Sequence, residues 1–189
     1  MVRSAQAIRR APVSARAGSA TSYRVMRGTL RAMTTLPLDD AGDIDIAKVF
    51  AEAPGFLGTL GPELVSVDGE TAVLRLDAGP HLHNHVGGPH AGAIFTLAES
   101  ASGAVVIASF EDLLSRVTPL AATAEIAYTK LQKGPVTAEA RLGRPAAEVR
   151  AELDETGRTV QFPVTVTMTD SAGDETSRMT ISWALRPHR

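Results

Sequence analysis

The residues that could do chemistry are concentrated in one stretch, HNHVGGPHAGAIFTLAESASGAVVIASF, at positions 83–110. Its single acidic side chain, Glu99, stands among Ala, Ile, Phe, Leu, Val, Gly and Ser. A buried carboxylate without a partner costs free energy or has a raised pKa, so Glu99 is a candidate for catalysis. The alternative is a snorkelling or salt-bridged carboxylate. However, the side chains that a helix would place three or four residues away include no base: Phe95, Thr96, Ser102 and Gly103.

The residues before this acid read GGPHAGA, at positions 87–93, which is typical of a helix N-terminus rich in small residues. Free backbone N–H groups point outward from such an end, and small residues let a ligand approach them closely. These groups could stabilise the negative charge that develops on a carbonyl oxygen under attack. The stretch therefore predicts an oxyanion hole.

The spacing between the two features constrains how they could act together. Ala91 and Glu99 are eight residues apart, which corresponds to about 12 Å of helix rise. One helix cannot present both groups to one carbonyl carbon. If they act on the same substrate they must come from different subunits, so the sequence predicts a homodimer with each site built across the interface.

The elements that must position these groups follow from hydrophobic periodicity. Positions 91–110 form a helix that is apolar all round and must be enclosed. Several segments alternate apolar and polar residues, which predicts an antiparallel sheet of five or six strands with one buried face. The economical arrangement is an α+β fold in which the sheet wraps around the long helix. The apolar series are Ala72/Leu74/Leu76, Ala124/Ile126/Tyr128, Val136/Ala138/Ala140/Leu142, Val160/Phe162/Val164/Val166/Met168 and Met179/Ile181/Trp183/Leu185.

Local signals predict smaller features. The stretch DIDIAKVFAEAPG, at positions 43–55, predicts a short helix that would be capped by Asp43 or Asp45 and stopped by Pro54-Gly55. Asp68-Gly69 predicts a hairpin turn. Pro163 predicts that its strand is an edge strand or has a bulge there. Positions 145–157 fit either a strand or a helix, and the proline and glycine at the two ends favour a helix.

The motif N-H-V-G-G-P-H-A-G-A-I-F-T-L-A-E resembles the signature of hotdog-fold acyl-CoA thioesterases, in the branch of the phenylacetate-pathway and thioesterase-superfamily-member enzymes. That pattern has an Asn, a Gly three residues later, His-Gly-Gly, a small and apolar run, and Leu-(Ala/Val)-Asp. The likeness covers residues 55–186 in element order, but only residues 84–101 carry a specific motif. The positions that match are Asn84, Gly87, His90, Ala91, Gly92, Leu97 and Glu99.

The resemblance implies a hotdog fold, thioester hydrolysis and a role for each matched residue. Glu99 would be the general base or the nucleophile, and Asn84 of the opposing subunit would position the water or the thioester. The N–H of Ala91, with that of Gly92, would stabilise the oxyanion, and His90 would hold the loop. The substrate-facing residues would be Gly87, Gly88, Gly92 and Thr123. Two departures are Glu in place of the common Asp, and Ala91 in place of the first Gly of His-Gly-Gly.

Other interpretations of the same residues remain open. His81, His83 and His85 form H-x-H-x-H, a possible metal site, but the surrounding composition favours a loop, and we expect neither a metal nor a cofactor. A phosphate cradle is disfavoured because neither the P-loop nor the dinucleotide pattern is present. Asn84 could serve only to fix its loop. A non-catalytic hotdog module for acyl or aryl ligands, or for assembly, is the main alternative function, and a hotdog hydratase is a weaker one.

Composition limits the partners. Of 189 residues, 44% are apolar and 21% are charged, the net charge is −2 and cysteine is absent. This excludes disulfides and cysteine nucleophiles and gives no global field for nucleic acid or an anionic membrane. A transmembrane role for 91–110 is disfavoured by Glu99 at its centre. The expected partners are an acyl-CoA substrate and a second copy of the chain, with tetramers left open.

The first 38 residues contain seven Arg and no acidic residue. They predict a disordered tail that precedes a single hotdog domain at 39–189. The tail is either a transit peptide, which would imply the mitochondrial matrix, or the product of a start upstream of the true one, which fits a cytoplasmic protein.

Overall fold

The computed structural model describes residues 37–40 and 42–188. The predicted N-terminal tail, residues 1–38, lies outside the described residues except for its last two. Of these, Leu38 forms an isolated antiparallel bridge with Ile44. The described fold therefore begins just before the predicted domain boundary.

The centre of the fold is one antiparallel sheet wrapped around one long helix, so the predicted hotdog architecture is confirmed. The strand order is β1-β2-β4-β5-β6-β3, and every neighbouring pair is antiparallel. The strands are β1 (Glu63–Val67), β2 (Thr71–Leu76), β3 (Val117–Tyr128), β4 (Val136–Leu142), β5 (Val160–Thr169) and β6 (Glu175–Pro187). The helices are α1 (Ile46–Ala51), α2 (Gly55–Leu60), α3 (Ala91–Phe110) and α4 (Ala146–Thr156).

The alternating series place the core on the inner face of the sheet, against α3. In β5 the buried residues are the five that the period of two predicts, from Val160 to Met168. In β6 the predicted residues Met179, Ile181, Trp183 and Leu185 are buried, and Ala184 is buried in addition. In β2, Ala72, Leu74 and Leu76 are also buried. Period two identifies an inner face because successive strand side chains point to opposite faces.

α3 begins at the predicted residue and has a buried and a half-exposed side. Together with the following turn, Ala91–Leu113 is long and apolar enough to cross a membrane, but most of its length is buried inside this fold. The half-exposed side runs along Phe95, Thr96, Glu99 and Gly103. The single carboxylate of the helix therefore lies on the side that the sheet does not fully cover.

The short helices follow local capping chemistry. Asp45 is the N-cap of α1, and its carboxylate accepts a hydrogen bond from the Lys48 N–H at 2.9 Å. The helical alternative for residues 145–157 is confirmed by α4, which ends at Gly157 in the left-handed region. The sequence patterns do not predict α2, because they identify Pro54 only as a stop signal, whereas it is also the N-cap of this helix.

The hairpin between β1 and β2 is confirmed, but its tip lies one residue later than predicted. The Asp68 N–H donates to the Thr71 carbonyl oxygen, so Gly69 and Glu70 form the tip. The Asp68 carboxylate accepts from the N–H groups of Glu70 and Thr71, which lowers its pKa. An Asp side chain that mimics a backbone turn in this way belongs before the tip.

The prediction that Pro163 marks an edge strand or a bulge is wrong. β5 is an interior strand, and its register with β6 continues through the Pro163–Ser182 pair. The ladder between β4 and β5 ends one pair earlier, at Leu142–Val164, and the Gly143 N–H donates to the Pro163 carbonyl oxygen. The missing N–H of Pro163 therefore falls where β4 has already ended, and it costs the sheet no interior hydrogen bond.

β3 is an edge strand, and most of its side chains are exposed. The predicted inner series points toward the helix side, because Ala124, Ile126 and Tyr128 pair with the inner-face residues of β6. However, only Ile126 of the three is even half-buried, which differs from the buried face predicted for this strand. The reason is position: α3 packs mainly over β2, β4 and β5, and it covers little of the edge strand β3.

Candidate functional site

The loop before α3 is held by the side chain of Asn84. Its Oδ1 accepts hydrogen bonds from the N–H groups of Val86 at 3.0 Å and Gly88 at 3.3 Å, and its Nδ2 donates to the Pro89 carbonyl oxygen at 3.3 Å. The alternative in which Asn84 fixes its own loop is thus present in the structure. One of its two amide hydrogens remains without an acceptor among the described residues, so the side chain can also donate to a ligand.

Two glycines of this loop are required by its shape. Gly87 has φ of +83°, a left-handed conformation that other residues avoid. Gly88 is buried, and a Cβ there would lie 2.7 Å from the carbonyl oxygen of Gln132. The buried Gln132 side chain accepts from the Thr176 hydroxyl and donates to the Pro135 carbonyl oxygen. Both glycines, which were predicted to face substrate, therefore have structural roles in this protomer.

The first turn of α3 has one free N–H group that points away from the helix. His90 is the N-cap, and its Nδ1 accepts from the Gly92 N–H at 3.0 Å. The N–H groups of Ala93 and Ile94 donate to the His90 carbonyl oxygen. The Ala91 N–H has no acceptor among the described residues, and Ala91 is exposed. Of the two predicted oxyanion donors, Ala91 is the one that remains available.

Glu99 is half-buried in the middle of α3. Burial raises the pKa of its carboxyl group, and no charged side chain contributes to the shift. Within the described part of the chain the carboxylate has neither an ion pair nor a hydrogen-bond donor. The prediction of a desolvated, unpaired acid therefore agrees with the geometry of the protomer.

Two hydrogen bonds connect the backbone of Glu99 to the sheet, and no pattern in the sequence predicts them. The Ser102 hydroxyl donates to the Glu99 carbonyl oxygen at 2.7 Å, and the Trp183 Nε1–H donates to the Ser102 hydroxyl at 3.0 Å. Ser102 and Trp183 are both buried. They are 81 residues apart in sequence, so no local pattern could have paired them.

Two β3 residues, Thr123 and Tyr128, lie on opposite faces of the sheet, as the alternation along this strand predicts. Thr123 pairs with Ser182 after a bulge between Ala121 and Thr123, which places its side chain on the outer face of the sheet. It therefore does not join the cluster on the helix side. Tyr128, which was predicted only as a sheet residue, donates its hydroxyl hydrogen to the Ala91 carbonyl oxygen at 3.0 Å. Burial raises the pKa of this hydroxyl, so it remains a donor at neutral pH.

The H-x-H-x-H motif does not converge on one point. His83 interacts through Nε2 with the Ala78 carbonyl oxygen at 2.9 Å, and the exposed His81 and His85 lie elsewhere in the loop. Within residues 37–40 and 42–188, no group of three His, Cys, Asp or Glu side chains is arranged to hold a metal ion.

Residues 44–185 match the profile of a family that is described as a domain of unknown function, DUF4442. A search of curated proteins gave no significant match.

Solved structures similar to this fold include several thioesterase-like proteins. A Pseudomonas aeruginosa protein of unknown function, described as a probable thioesterase, is 26% identical, with a TM-score of 0.68 over 81% of this chain and 99% of that chain. A Streptococcus mutans protein bound to acetyl-CoA is 23% identical, with a TM-score of 0.53 over 68% and 90% of the two chains. A Streptococcus pneumoniae hypothetical thioesterase with coenzyme A is 21% identical, with a TM-score of 0.53 over 68% and 88%. The resemblance to hotdog-fold thioesterases is thus confirmed.

Proposed function

The chain belongs to the family described as domain of unknown function DUF4442, and we propose that it hydrolyses an acyl-CoA, or a related acyl thioester, to a free acid and a thiol. The observation that carries the proposal is Glu99: a half-buried carboxylate whose pKa is raised by burial and which has no partner among the described residues of its protomer. A carboxylate in this state is a stronger base than an exposed one, as general base catalysis near neutral pH requires. A solely structural carboxylate would be expected to have a cation or an N–H donor beside it.

The reaction follows from the two available groups. Glu99 accepts a proton from a water molecule while the water oxygen bonds to the thioester carbonyl carbon. The Ala91 N–H of the partner subunit stabilises the negative charge on the carbonyl oxygen. When this intermediate collapses, the carbon–sulfur bond breaks, the electron pair leaves with sulfur, and sulfur takes the proton from the Glu99 carboxyl group. The products are a carboxylic acid and a thiol.

Direct attack by Glu99 is the second route that the same geometry allows. The carboxylate oxygen would bond to the carbonyl carbon and expel the thiolate, and water would then hydrolyse the mixed anhydride. Hydroxylamine distinguishes the routes, because it traps an anhydride on Glu99 as a hydroxamate and leaves the general-base route without a modified residue.

The proposed site requires two copies of the chain. Ala91 and Glu99 are separated by eight helical residues, or about 12 Å, and both lie toward the less covered side of α3. The β3 edge of the sheet is long and largely exposed, and an unpaired edge of this kind favours pairing with another strand. We infer a homodimer in which Glu99 of each subunit faces the α3 N-terminus of the other. Asn84 of that second subunit would contribute its remaining amide hydrogen to the water or the thioester.

Coenzyme A is the proposed thiol carrier. Two proteins with the same fold contain acetyl-CoA or coenzyme A, and a substrate that arrives over the exposed, glycine-rich loop needs no deep enclosure for its carrier. Release of thiol from a panel of acyl-CoA esters of different chain length tests this assignment directly.

The decisive variant is Glu99→Gln, which keeps the size of the side chain and removes its basicity. We expect turnover to fall by about 10²–10⁴-fold, the range for loss of a general base, while the fold and the oligomeric state are retained. Glu155→Gln is the matched control, since Glu155 is an exposed carboxylate on α4. If Glu99→Gln retains full activity, the assigned chemistry is wrong. If the wild-type protein cleaves no ester but binds acyl-CoA in calorimetry, the non-catalytic binding function replaces this proposal.

A further inference from the structure

Ser102 lies one helical turn after Glu99, and its hydroxyl group both donates and accepts a hydrogen bond. It donates to the Glu99 carbonyl oxygen at 2.7 Å and accepts from the Trp183 Nε1–H at 3.0 Å. Neither side chain is at the surface: the relative exposure of Ser102 is 0% and that of Trp183 is 7%. Hydrogen bonds shielded from water in this way are stronger and more costly to break than exposed ones.

The indole ring of Trp183 packs beside the adjacent residue, Gly103. A Cβ at Gly103 would lie 3.7 Å from the Cη2 atom of Trp183, the distance of an ordinary van der Waals contact, so the ring lies against the helix at this residue. In an α-helix the Gly103 N–H is the group that donates to the Glu99 carbonyl oxygen. The contact and the two hydrogen bonds therefore meet at one point of α3, the turn that starts at Glu99.

Trp183 connects this turn to the part of the sheet next to the proposed subunit interface. It lies on β6, where its partner on β3 is Ala121, beside the bulge that ends at Thr123. β3 is the edge strand. A change in the distance between α3 and β6 would therefore move Glu99 relative to that edge, and hence relative to a group supplied by the partner subunit.

We propose that Ser102 and Trp183 are positioning residues for Glu99, and that their hydrogen-bonded chain fixes the turn of α3 from which this carboxylate reaches the substrate. The kinetic part of this inference rests on the proposed thioester hydrolysis. The placement of the carboxylate does not, and it can be measured without any substrate.

The test compares three variants that change the hydrogen-bonded pair Ser102 and Trp183 by a few atoms. Ser102→Ala removes the hydroxyl, Ser102→Thr retains one that can still bond a carbonyl oxygen of the preceding turn, and Trp183→Phe removes the donor and keeps an aromatic ring. Ser109→Ala is the matched control: Ser109 is a buried serine of the same helix whose hydroxyl lies at hydrogen-bonding distance from the Val105 and Gly69 carbonyl oxygens, far from Glu99.

We expect Ser102→Ala to lower kcat by about 10–100-fold with little change in KM, since a misplacement of about 1 Å has effects of this size. Ser102→Thr should restore most of kcat, and Ser109→Ala should lower the unfolding temperature without changing kcat. Carbon-13 NMR of the Glu99 carboxyl group, assigned with Glu99→Gln, should show its titration move toward that of an exposed glutamate in Ser102→Ala and in Trp183→Phe, but not in Ser109→Ala.

The double variant Ser102→Ala/Trp183→Phe separates positioning from stability. Because both partners are then absent, no buried donor is left unpaired and stability should partly recover, while kcat should stay as low as in Ser102→Ala. Recovery of kcat together with stability would overturn the inference, as would wild-type kcat and wild-type Glu99 titration in Ser102→Ala. If the wild-type protein hydrolyses no thioester, the proposed function fails, and an unchanged or changed Glu99 titration still decides this inference.

Discussion

Tyr128 donates a hydrogen bond to the carbonyl oxygen of Ala91 across 3.0 Å, and thereby ties the edge strand β3 to the first turn of α3. The same residue, Ala91, carries the N–H group that we assign to the oxyanion. The strand that we assign to the subunit interface therefore also holds the helix end that each subunit would offer to the other's substrate.

Replacement of Tyr128 by Phe should weaken this tie while the ring stays in place. Loss of one hydrogen bond at a half-exposed site should lower the free energy of unfolding by about 0.5–1.5 kcal/mol. We also expect a several-fold lower kcat, because the Ala91 N–H would be oriented less uniformly. Thermal unfolding and steady-state kinetics measure the two effects. Thr59→Val removes an exposed hydroxyl-to-carbonyl bond in α2, and it should change stability alone. Equal kcat values for Tyr128→Phe and the wild-type protein would mean that this tie has no part in catalysis.

The raised pKa of Glu99 predicts how activity depends on pH. A general base must be ionised, so kcat/KM should fall on the acid side at a higher pH than for a glutamate in water, because burial raises the Glu99 pKa. In Glu99→Gln any residual activity should lack this acid limb. A pH profile in which the two proteins lose activity in parallel would assign the limb to another group.

The raised pKa of Glu99 also predicts that the stability of the fold falls as pH rises, whereas activity rises with pH. Because the folded state holds the Glu99 proton more tightly than the unfolded chain does, ionisation of Glu99 destabilises the fold as pH rises through the raised pKa. The stabilising contribution of protonated Glu99 is complete only at pH values below the pKa of Glu99 in the unfolded chain. Glu99→Gln should therefore be more stable than the wild-type protein at neutral pH, and the difference should shrink as pH falls. Denaturant unfolding at several pH values measures it.

How far the sequence could predict this structure depended on whether the relevant interaction is local. The inner faces of β5 and β6, the start of α3 and the Asp45 cap follow from side-chain periodicity or from neighbours a few residues away, and these predictions were confirmed. The position of β5 inside the sheet depends on which strands pair with it, which one strand's sequence does not encode. For that reason the Pro163 prediction was wrong.

The residues of the candidate site likewise differ in whether a local sequence pattern can identify them. Glu99 and the free N–H of Ala91 could be identified because both lie in one continuous stretch. The chain from Trp183 through Ser102 joins elements far apart in sequence and has no local signal. Thr123 is suggested as a substrate contact only by the family resemblance, whereas its alternation with Ala124 places its side chain on the opposite face of β3.

The close packing of Gly88 predicts that this glycine cannot be replaced. An Ala side chain would place its methyl carbon 2.7 Å from the Gln132 carbonyl oxygen, and relief of that contact must move the loop that Asn84 holds. We expect Gly88→Ala to destabilise the fold by about 1–3 kcal/mol, as overpacking does, and to lower activity through the displaced loop. Gly69→Ala is the control, because nothing lies within 4 Å of a Cβ there. Equal unfolding midpoints for the two variants would contradict the packing argument.

Ala91→Pro offers a way to remove one backbone N–H group. Ala91 is the first residue of α3, where proline is favoured in helices, and His90 has φ of −64° and ψ of 142°, an extended conformation compatible with a following proline. The fold should therefore be retained. Loss of the oxyanion donor should lower kcat by about 10²–10³-fold, whereas Ala91→Gly, which keeps the N–H, should retain activity.

The two damaged proteins together test whether the site spans two subunits. In a heterodimer of a Glu99→Gln chain and an Ala91→Pro chain, purified through a different tag on each chain, one shared site would contain both lesions and the other would contain neither. Such a heterodimer should recover about half of the wild-type kcat per dimer, since one of two symmetric sites is intact. If each site lies within one protomer, every site in the heterodimer carries a lesion and activity stays at the level of the parents. Failure to recover any heterodimer after co-expression would instead contradict the proposed dimer. It would also contradict the proposed site, because about 12 Å separates Ala91 from Glu99 within one chain and leaves that chain without a complete site.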